Sequence, residues 1–277
     1  MNFHEVICKG GLGNQLFCLF YSYKISLLYK TKVYLNLTNY LVSTRKERSF
    51  ILDVLYPPLY DEFQLSSSLF SKFLFFYSKI FEKFFVRNFP DRLLGDKSFQ
   101  INYLPNKFIH SGYFQKINNS ELDIKSLELI KKNLSPFIFD EKNNNLAIHI
   151  RRGDYLSKRH SLHGIIDEKF IFQASKKLLK EKDFDGITIF SDSPELLDLN
   201  SFRTLNKNIT IDKGGDPIMV FKRMANHKGL IASNSTFSLW AGILGEINSF
   251  SIPYYWMKNI KSSLIGLEDI HRYECEL

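Results

Sequence analysis

A chain of 277 residues, 44% of them hydrophobic, can bury a substantial core and is long enough for two domains, which sets aside a disordered or peptide-like protein. Lysine and arginine number 37 against 29 acidic residues, and the resulting net charge of +8 favours anionic partners: nucleotides, nucleic acid or an acidic membrane surface. No basic stripe with interleaved aromatics and no nucleic-acid motif is present, so nucleic acid is not an expected partner. Cys8, Cys18 and Cys275 are odd in number and lack metal-ligand or CxxC spacing, as reduced thiols in a cytosolic protein would. A basic segment followed by a long apolar run, the mark of a signal peptide, is missing, and no apolar run nears the ~20 residues of a membrane-spanning helix.

In chain order, residues 5–9 read as a strand that Gly10-Gly11-Leu12-Gly13 turns into a helix carrying Leu16, Phe17, Leu19, Phe20, Tyr23, Ile25 and Leu27. This opening is Rossmann-like. A dinucleotide fingerprint would need a small residue where Leu16 stands and an acid at the end of a second strand over 33–36, where Asn36 stands; no Gly-Lys-Ser/Thr of a P-loop follows either. Gly11 and Gly13 allow a ligand to approach backbone, with Asn14 and Gln15 pointing amides at it; the plain alternative is a tight turn. Residues 69–86 (LFSKFLFFYSKIFEKFFV) read as an amphipathic helix, either packed in a core or resting on an anionic membrane surface. Residues 107–115 form a strand with Gly112 as a bend or close contact, and 120–134 a helix that Pro136 breaks. The polar residues 140–145 read as a linker, so domains are expected over 1–140 and 141–277.

The stretch 145–156, NLAIHIRRGDYL, is an apolar strand ending in two guanidiniums, a glycine that permits a sharp exit, and a carboxylate. In open α/β sheets that edge binds ligands, and two adjacent arginine forks suit a diphosphate. A helix over 167–182 follows, then a strand over 186–190 ending in Ser191-Asp192-Ser193-Pro194-Glu195, a strand over 208–211, and a helix that Asp216-Pro217 start. A strand over 229–232 runs into Ser233-Asn234-Ser235-Thr236, which opens a helix that stops at Gly245, and a last strand spans 250–253. This alternation predicts a parallel sheet flanked by helices. Three strand ends then bring polar groups to one edge: Arg151-Arg152, Asp192-Ser193, and residues 233–236, whose hydroxyls and helix N-terminus suit an anion. Asp192 or Asp216 would take hydrogen bonds from a ribose or guanine. Asp183-Phe184-Asp185 is formally a metal-binding DxD, but it precedes its strand and so lies at the opposite edge.

Five segments in order carry a resemblance. His149-Ile150-Arg151-Arg152-Gly153-Asp154 matches an HxRRxD motif, joined by Gly10-Gly11-Leu12-Gly13-Asn14-Gln15-Leu16-Phe17, by Gly112-Tyr113-Phe114-Gln115, by residues 190–195 and by residues 233–240. Together they resemble glycosyltransferase family 11, the α-1,2-fucosyltransferases, and more broadly the superfamily shared with α-1,6- and protein O-fucosyltransferases. Leu239-Trp240 stands where that family usually has two tryptophans. The resemblance implies an α/β, GT-B-like fold of two Rossmann-like domains with parallel sheets. The implied reaction is metal-independent, cofactor-free, inverting transfer of L-fucose from GDP-fucose to the 2-hydroxyl of a galactose in a surface glycan or oligosaccharide, lipid-linked acceptors included.

On this resemblance Arg152 and Arg151 hold the donor diphosphate, Ser235 and Thr236 its β-phosphate, and Asp216 the guanine; His149, Asp192, Ser193 and Asn234 line the donor side. The N-terminal half holds the acceptor beside Gly11, Asn14, Gln15, Tyr113 and Gln115. Asp154 is the first candidate base, its equal alternative a salt bridge orienting Arg151 or Arg152; His163, Asp192 and the leaving phosphate itself follow. The expected location is the cytoplasm, peripheral to the inner membrane. The rival readings are a same-fold transferase with another linkage or GDP-sugar, and a non-catalytic nucleotide- or glycan-binding protein.

Overall fold

The computed structural model describes residues 3–41, 49–66, 72–73, 75–76, 99–104, 107–118, 120–138, 141–156, 163–205, 207–258, 260–262 and 270–277. The amphipathic segment expected over 69–86 falls, apart from four of its residues, outside the described residues. The chain divides into two compact units, Met1–Leu134 and Ser135–Leu277, each with its own sheet.

In the first unit β1 (Phe3–Ile7) leads into α1 (Leu12–Tyr29) and β2 (Val33–Asn36). Three short helices, α2 (Thr38–Leu41), α3 (Leu52–Leu55) and α4 (Leu59–Glu62), precede β3 (Gln64–Ser66), β4 (Phe99–Leu104) and β5 (Lys107–Ser111). The sheet order is β3-β2-β1-β5-β4. β1 is parallel to both of its neighbours, but β4 is antiparallel to β5, so this sheet is not wholly parallel. Only residues 105 and 106 join those two strands, a connection too short for the crossover that parallel pairing requires. α1 buries Leu16, Phe17, Leu19 and Phe20.

α5 (Glu121–Ile138) runs past Pro136 instead of ending before it. The proline sits in the last turn, where one missing N–H removes a single bond from a helix about to stop. The expected linker is also partly structured, because β6 (Asn143–Ile150) takes up its three asparagines. Their side chains supply local partners: Asn144 Nδ2 donates to Asp185 Oδ1 at 2.9 Å, and the Asn145 N–H to Asn143 Oδ1 at 3.1 Å.

After β6 come α6 (Glu168–Glu181), β7 (Gly186–Ser191), β8 (Asn208–Ile211), α7 (Pro217–Ala225), β9 (His227–Ile231), α8 (Thr236–Leu244) and β10 (Ser249–Pro253). A small antiparallel ribbon of β11 (Tyr255–Met257) and β12 (Ile260–Lys261) precedes β13 (His271–Tyr273). The sheet order is β13-β10-β9-β6-β7-β8, parallel throughout. Leu146, Ile148 and Ile150 of β6 pack with Ile187 and Ile189 of β7, Ile231 of β9 and Ile171 of α6, a core fully withdrawn from water.

Caps set the helix starts. Asp167 accepts from the Lys169 N–H at 2.8 Å, and Asp216 from the Ile218 and Met219 N–H groups at 2.9 and 3.1 Å, with Pro217 in the first turn. Gly245 ends α8 with an ordinary φ of −73°, so its conformation alone does not require glycine. Space requires it: a Cβ there would overlap the carbonyl oxygens of Ala225 and Ala241. Gly245→Ala is therefore expected to destabilise the second unit by about 1–3 kcal/mol, although alanine is the better helix former by about 1 kcal/mol. Denaturant unfolding measures this, and an unchanged midpoint would mean that α7 and α8 separate at no cost.

Candidate functional site

The second sheet grows from β6 outward to β7 and β8, then returns to β6's other side with β9. Loops leaving β6 and β9 therefore part in opposite directions, which opens a crevice at their C-terminal ends. Ile148 lies opposite Ile231, and Ile150 opposite Ser191, so the ends of β9, β6 and β7 meet along one edge. The structure thus brings together the three polar strand ends read from the sequence.

Arg151 and Arg152 leave β6 and diverge. Arg151 is partly exposed, 28% by its side chain; its Nη1 stands 3.0 Å from Asp192 Oδ2, and its guanidinium carbon 5.5 Å from the ring centre of Tyr155. Arg152 is buried, its side chain 8% exposed, with Nη2 2.6 Å from Glu168 Oε1 and Nη1 donating to the Arg151 carbonyl oxygen at 3.0 Å. The Arg152 backbone N–H donates to Asp192 Oδ1 at 2.9 Å. Asp192 thereby holds both residues, and Arg151 presents the accessible fork.

Gly153 answers to this arrangement. It lies outside the left-handed region, and a Cβ on it would collide with the Asp192 carboxylate, so close approach and not a sharp exit is what demands glycine. Asp192 and Glu168 pair with Arg151 and Arg152; the ion pair considered for Asp154 lies outside the described residues, as its side chain does. Glu168 is the residue that the sequence reading missed. Nothing in its spacing marks it, but a buried arginine requires a counterion, and the first turn of the next helix was the place to look. Tyr155 was missed too: its hydroxyl donates to the Asn234 carbonyl at 3.0 Å and its ring stacks on His163 at 4.8 Å.

On the β9 side His149 is buried, with Nδ1 2.9 Å from Ser233 Oγ. Loss of hydration, and then the charge of Arg151, push its pKa down to about 3, so the ring is neutral. Asn234 ties loops together, its Nδ2 donating to the carbonyl oxygens of His163, Trp256 and Gly164 at 2.8, 3.3 and 3.4 Å. Ser235 is the extended N-cap of α8 and makes no side-chain cap bond, and Thr236 begins the helix, partly exposed. Ser193 is buried beyond β7, its N–H on Ser191 Oγ at 3.1 Å. Asp216 is exposed and commits Oδ1 to capping α7. The loop before it is braced by Asp212, which takes Arg223 Nε and Nη2 at 2.7 and 2.8 Å. Asp183 and Asp185 lie at the opposite edge, engaged by Lys207 and Asn144 at 2.9 Å each.

In the first unit β1 has β2 and β3 on one side and the parallel β5 on the other, so the C-terminal ends of β1 and β5 lie side by side. There Gln115 Nε2 donates to Asn14 Oδ1 at 2.8 Å, and the buried Lys9 ammonium lies 4.5 Å from the centre of the Tyr113 ring. Gly11, the N-cap of α1, is exposed and has open space beyond its Cα. Gln15, expected to point its amide at a ligand, turns inward instead. It is fully buried and donates to Gly10 and Ser49 carbonyls at 3.2 and 2.9 Å while accepting from Ile51 and Leu52 N–H groups at 3.1 and 3.0 Å. A saturated buried amide is a brace, because each lost partner would cost about 1–3 kcal/mol. Within β5, His110 bonds to Tyr21 and His4 at 3.0 Å each, and burial pushes its pKa down to about 3.

The model of glycosyl transferase family 11 matches residues 4–262. An alpha-1,2-colitosyltransferase of Escherichia coli is 28% identical over 262 residues, covering 85% of each chain. Among solved structures, a mutant form of Arabidopsis thaliana FUT1 in complex with GDP aligns over 91% of this chain and 70% of its own, at 12% identity and a TM-score of 0.51. Fucosyltransferase NodZ from Bradyrhizobium aligns over 88% and 92%, at 13% identity and a TM-score of 0.48. The expected α/β, GT-B-like fold with parallel sheets holds, apart from the antiparallel β4 at the edge of the first sheet.

His110 and His149 make stability depend on acid. Unfolded imidazoles titrate near pH 6.5, whereas these stay neutral to about pH 3 in the fold, so between those limits the unfolded chain binds more protons and stability falls as pH falls. Between pH 7.5 and 5.5 His110 and His149 are each expected to account for a loss of about 1.4 kcal/mol, and the buried His4 and His227, also held below their ordinary range by desolvation, act in the same direction. Denaturant unfolding at the two pH values checks this. His149→Asn should reduce the dependence in the second unit and leave that of the first unchanged, His227 keeping a share of it.

Proposed function

We propose, given that this chain belongs to glycosyl transferase family 11, that it transfers L-fucose from GDP-fucose to the 2-hydroxyl of a galactose residue, with inversion and without a metal. The observation that supports this most is the pair of arginines at the β6 switch point, one of them accessible. A planar fork beside a helix N-terminus suits a diphosphate, and GDP is the ligand of the Arabidopsis protein of similar fold. In the proposed reaction the galactose oxygen attacks C1 of fucose from the face opposite the diphosphate. The bond from C1 to the β-phosphate oxygen breaks, and the galactose proton passes to a base. Arg151 stabilises charge gathering on the departing GDP, the contribution that usually dominates such catalysis. Asp216, with one carboxylate oxygen given to its cap, has the other for the guanine edge, and the Asn14 and Tyr113 crevice takes the acceptor.

A second reading keeps the site and changes the sugar. It is favoured by the colitosyltransferase relative, since colitose is fucose without its 3-hydroxyl. Turnover of GDP-fucose against GDP-colitose separates the two.

Titration calorimetry of GDP in the presence of EDTA tests the shared part. Wild type should bind, and Arg151→Ala should bind about tenfold to a hundredfold more weakly, the scale of one charge-assisted contact. Equal affinities, or binding only when metal is supplied, would sink the diphosphate clamp. Asp154 is our base, so Asp154→Asn should keep GDP affinity and lose about 100-fold or more in turnover. Full turnover by that variant would rule out Asp154 and move the proton to His163, Asp192 or the leaving phosphate.

A further inference from the structure

We propose that Glu168 is a positioning residue for donor recognition, holding Arg151 through Arg152; the inference rests on the reading of Arg151 as the diphosphate's partner. Arg152 is buried and shares its guanidinium between the Glu168 carboxylate at 2.6 Å and the Arg151 carbonyl oxygen at 3.0 Å. Asp192 takes the Arg152 N–H at 2.9 Å with one oxygen and Arg151 Nη1 at 3.0 Å with the other. Arg151 is therefore fixed at both ends, its carbonyl by Arg152 and its guanidinium by Asp192.

Glu168 makes this division possible. A buried guanidinium stripped of its carboxylate seeks another, and Asp192 already touches the Arg152 backbone. Were Asp192 to serve both guanidiniums, the Arg151 fork would loosen. The Glu168 carboxylate arrives from a separate element, the first residue of α6 behind the Asp167 cap, so its place is set by a helix start and not by the turn over 153–156.

The sign of the effect separates positioning from simple charge. An anion near a diphosphate repels it, so removing the charge of Glu168 should tighten GDP binding if field strength were its whole role. Positioning gives the opposite sign. Calorimetric titration of GDP into Glu168→Gln should show about tenfold weaker binding, the scale on which members of one ion-pair network couple, with an unchanged far-UV spectrum. In an Arg152→Met background the same replacement should cost nothing further, because its route through Arg152 is gone.

Unchanged or tighter binding by folded Glu168→Gln overturns the proposal, and so does a loss of equal size in both backgrounds. Should Glu168→Gln not fold, Glu168→Asp keeps the charge and withdraws it by one methylene; weaker GDP binding then supports positioning, and full affinity refutes it. If wild type itself fails to bind GDP, the diphosphate reading falls and this inference with it, whereas wild-type binding untouched by Glu168 removes this inference alone.

Discussion

Two guanidiniums on consecutive residues at the end of a buried strand repel each other, and neither can be left without an anion. Among the described residues each has a carboxylate beside it: Asp192 from the end of the neighbouring strand for Arg151, Glu168 from the start of α6 for Arg152. Much of the surrounding structure follows. β7 must lie directly beside β6 for Asp192 to reach, residue 153 must lack a side chain so that the carboxylate can pass, and α6 must begin where its capped first turn faces the strand end. Such pairs contribute little net stability once desolvation is counted. What they fix is the direction in which charge is presented.

The two units solve one topological problem twice. In each, a central strand has the next strands in sequence on one side and a later strand on the other, and in the second unit the loops leaving those strands diverge. The second unit lines its crevice with arginine, hydroxyls and a helix N-terminus; the first lines its own with amides and an aromatic ring under a lysine. The arginine forks and helix N-terminus of the second unit are the anion-binding set; the first unit carries a single ammonium, set over a tyrosine ring.

Local chemistry was legible in the sequence. Asp216-Pro217 and Asp167 announced helix starts that the structure reproduces, because a cap depends on residues two or three positions away. The alternating apolar runs of the second half gave its strands and their parallel sense. Contacts made across the sheet were not legible. Gly153 and Gly245 look like turn residues, yet both are required by atoms from elsewhere: the carboxylate of Asp192 and the carbonyl of Ala225. Gln15 sits in a ligand-like turn, and its four partners include residues 49, 51 and 52, which no local pattern ties to it. Glu168 was hidden for the same reason, since only the path of the chain back to the strand end brings it to Arg152.

The buried pair of His149 and Ser233 has a consequence for rate. A ring held neutral to about pH 3 adds no titrating charge to the crevice. A sugar-linked diphosphate is fully ionised over the same range. His149 therefore contributes no slope of its own to the pH–rate profile of the proposed transfer between neutrality and about pH 3.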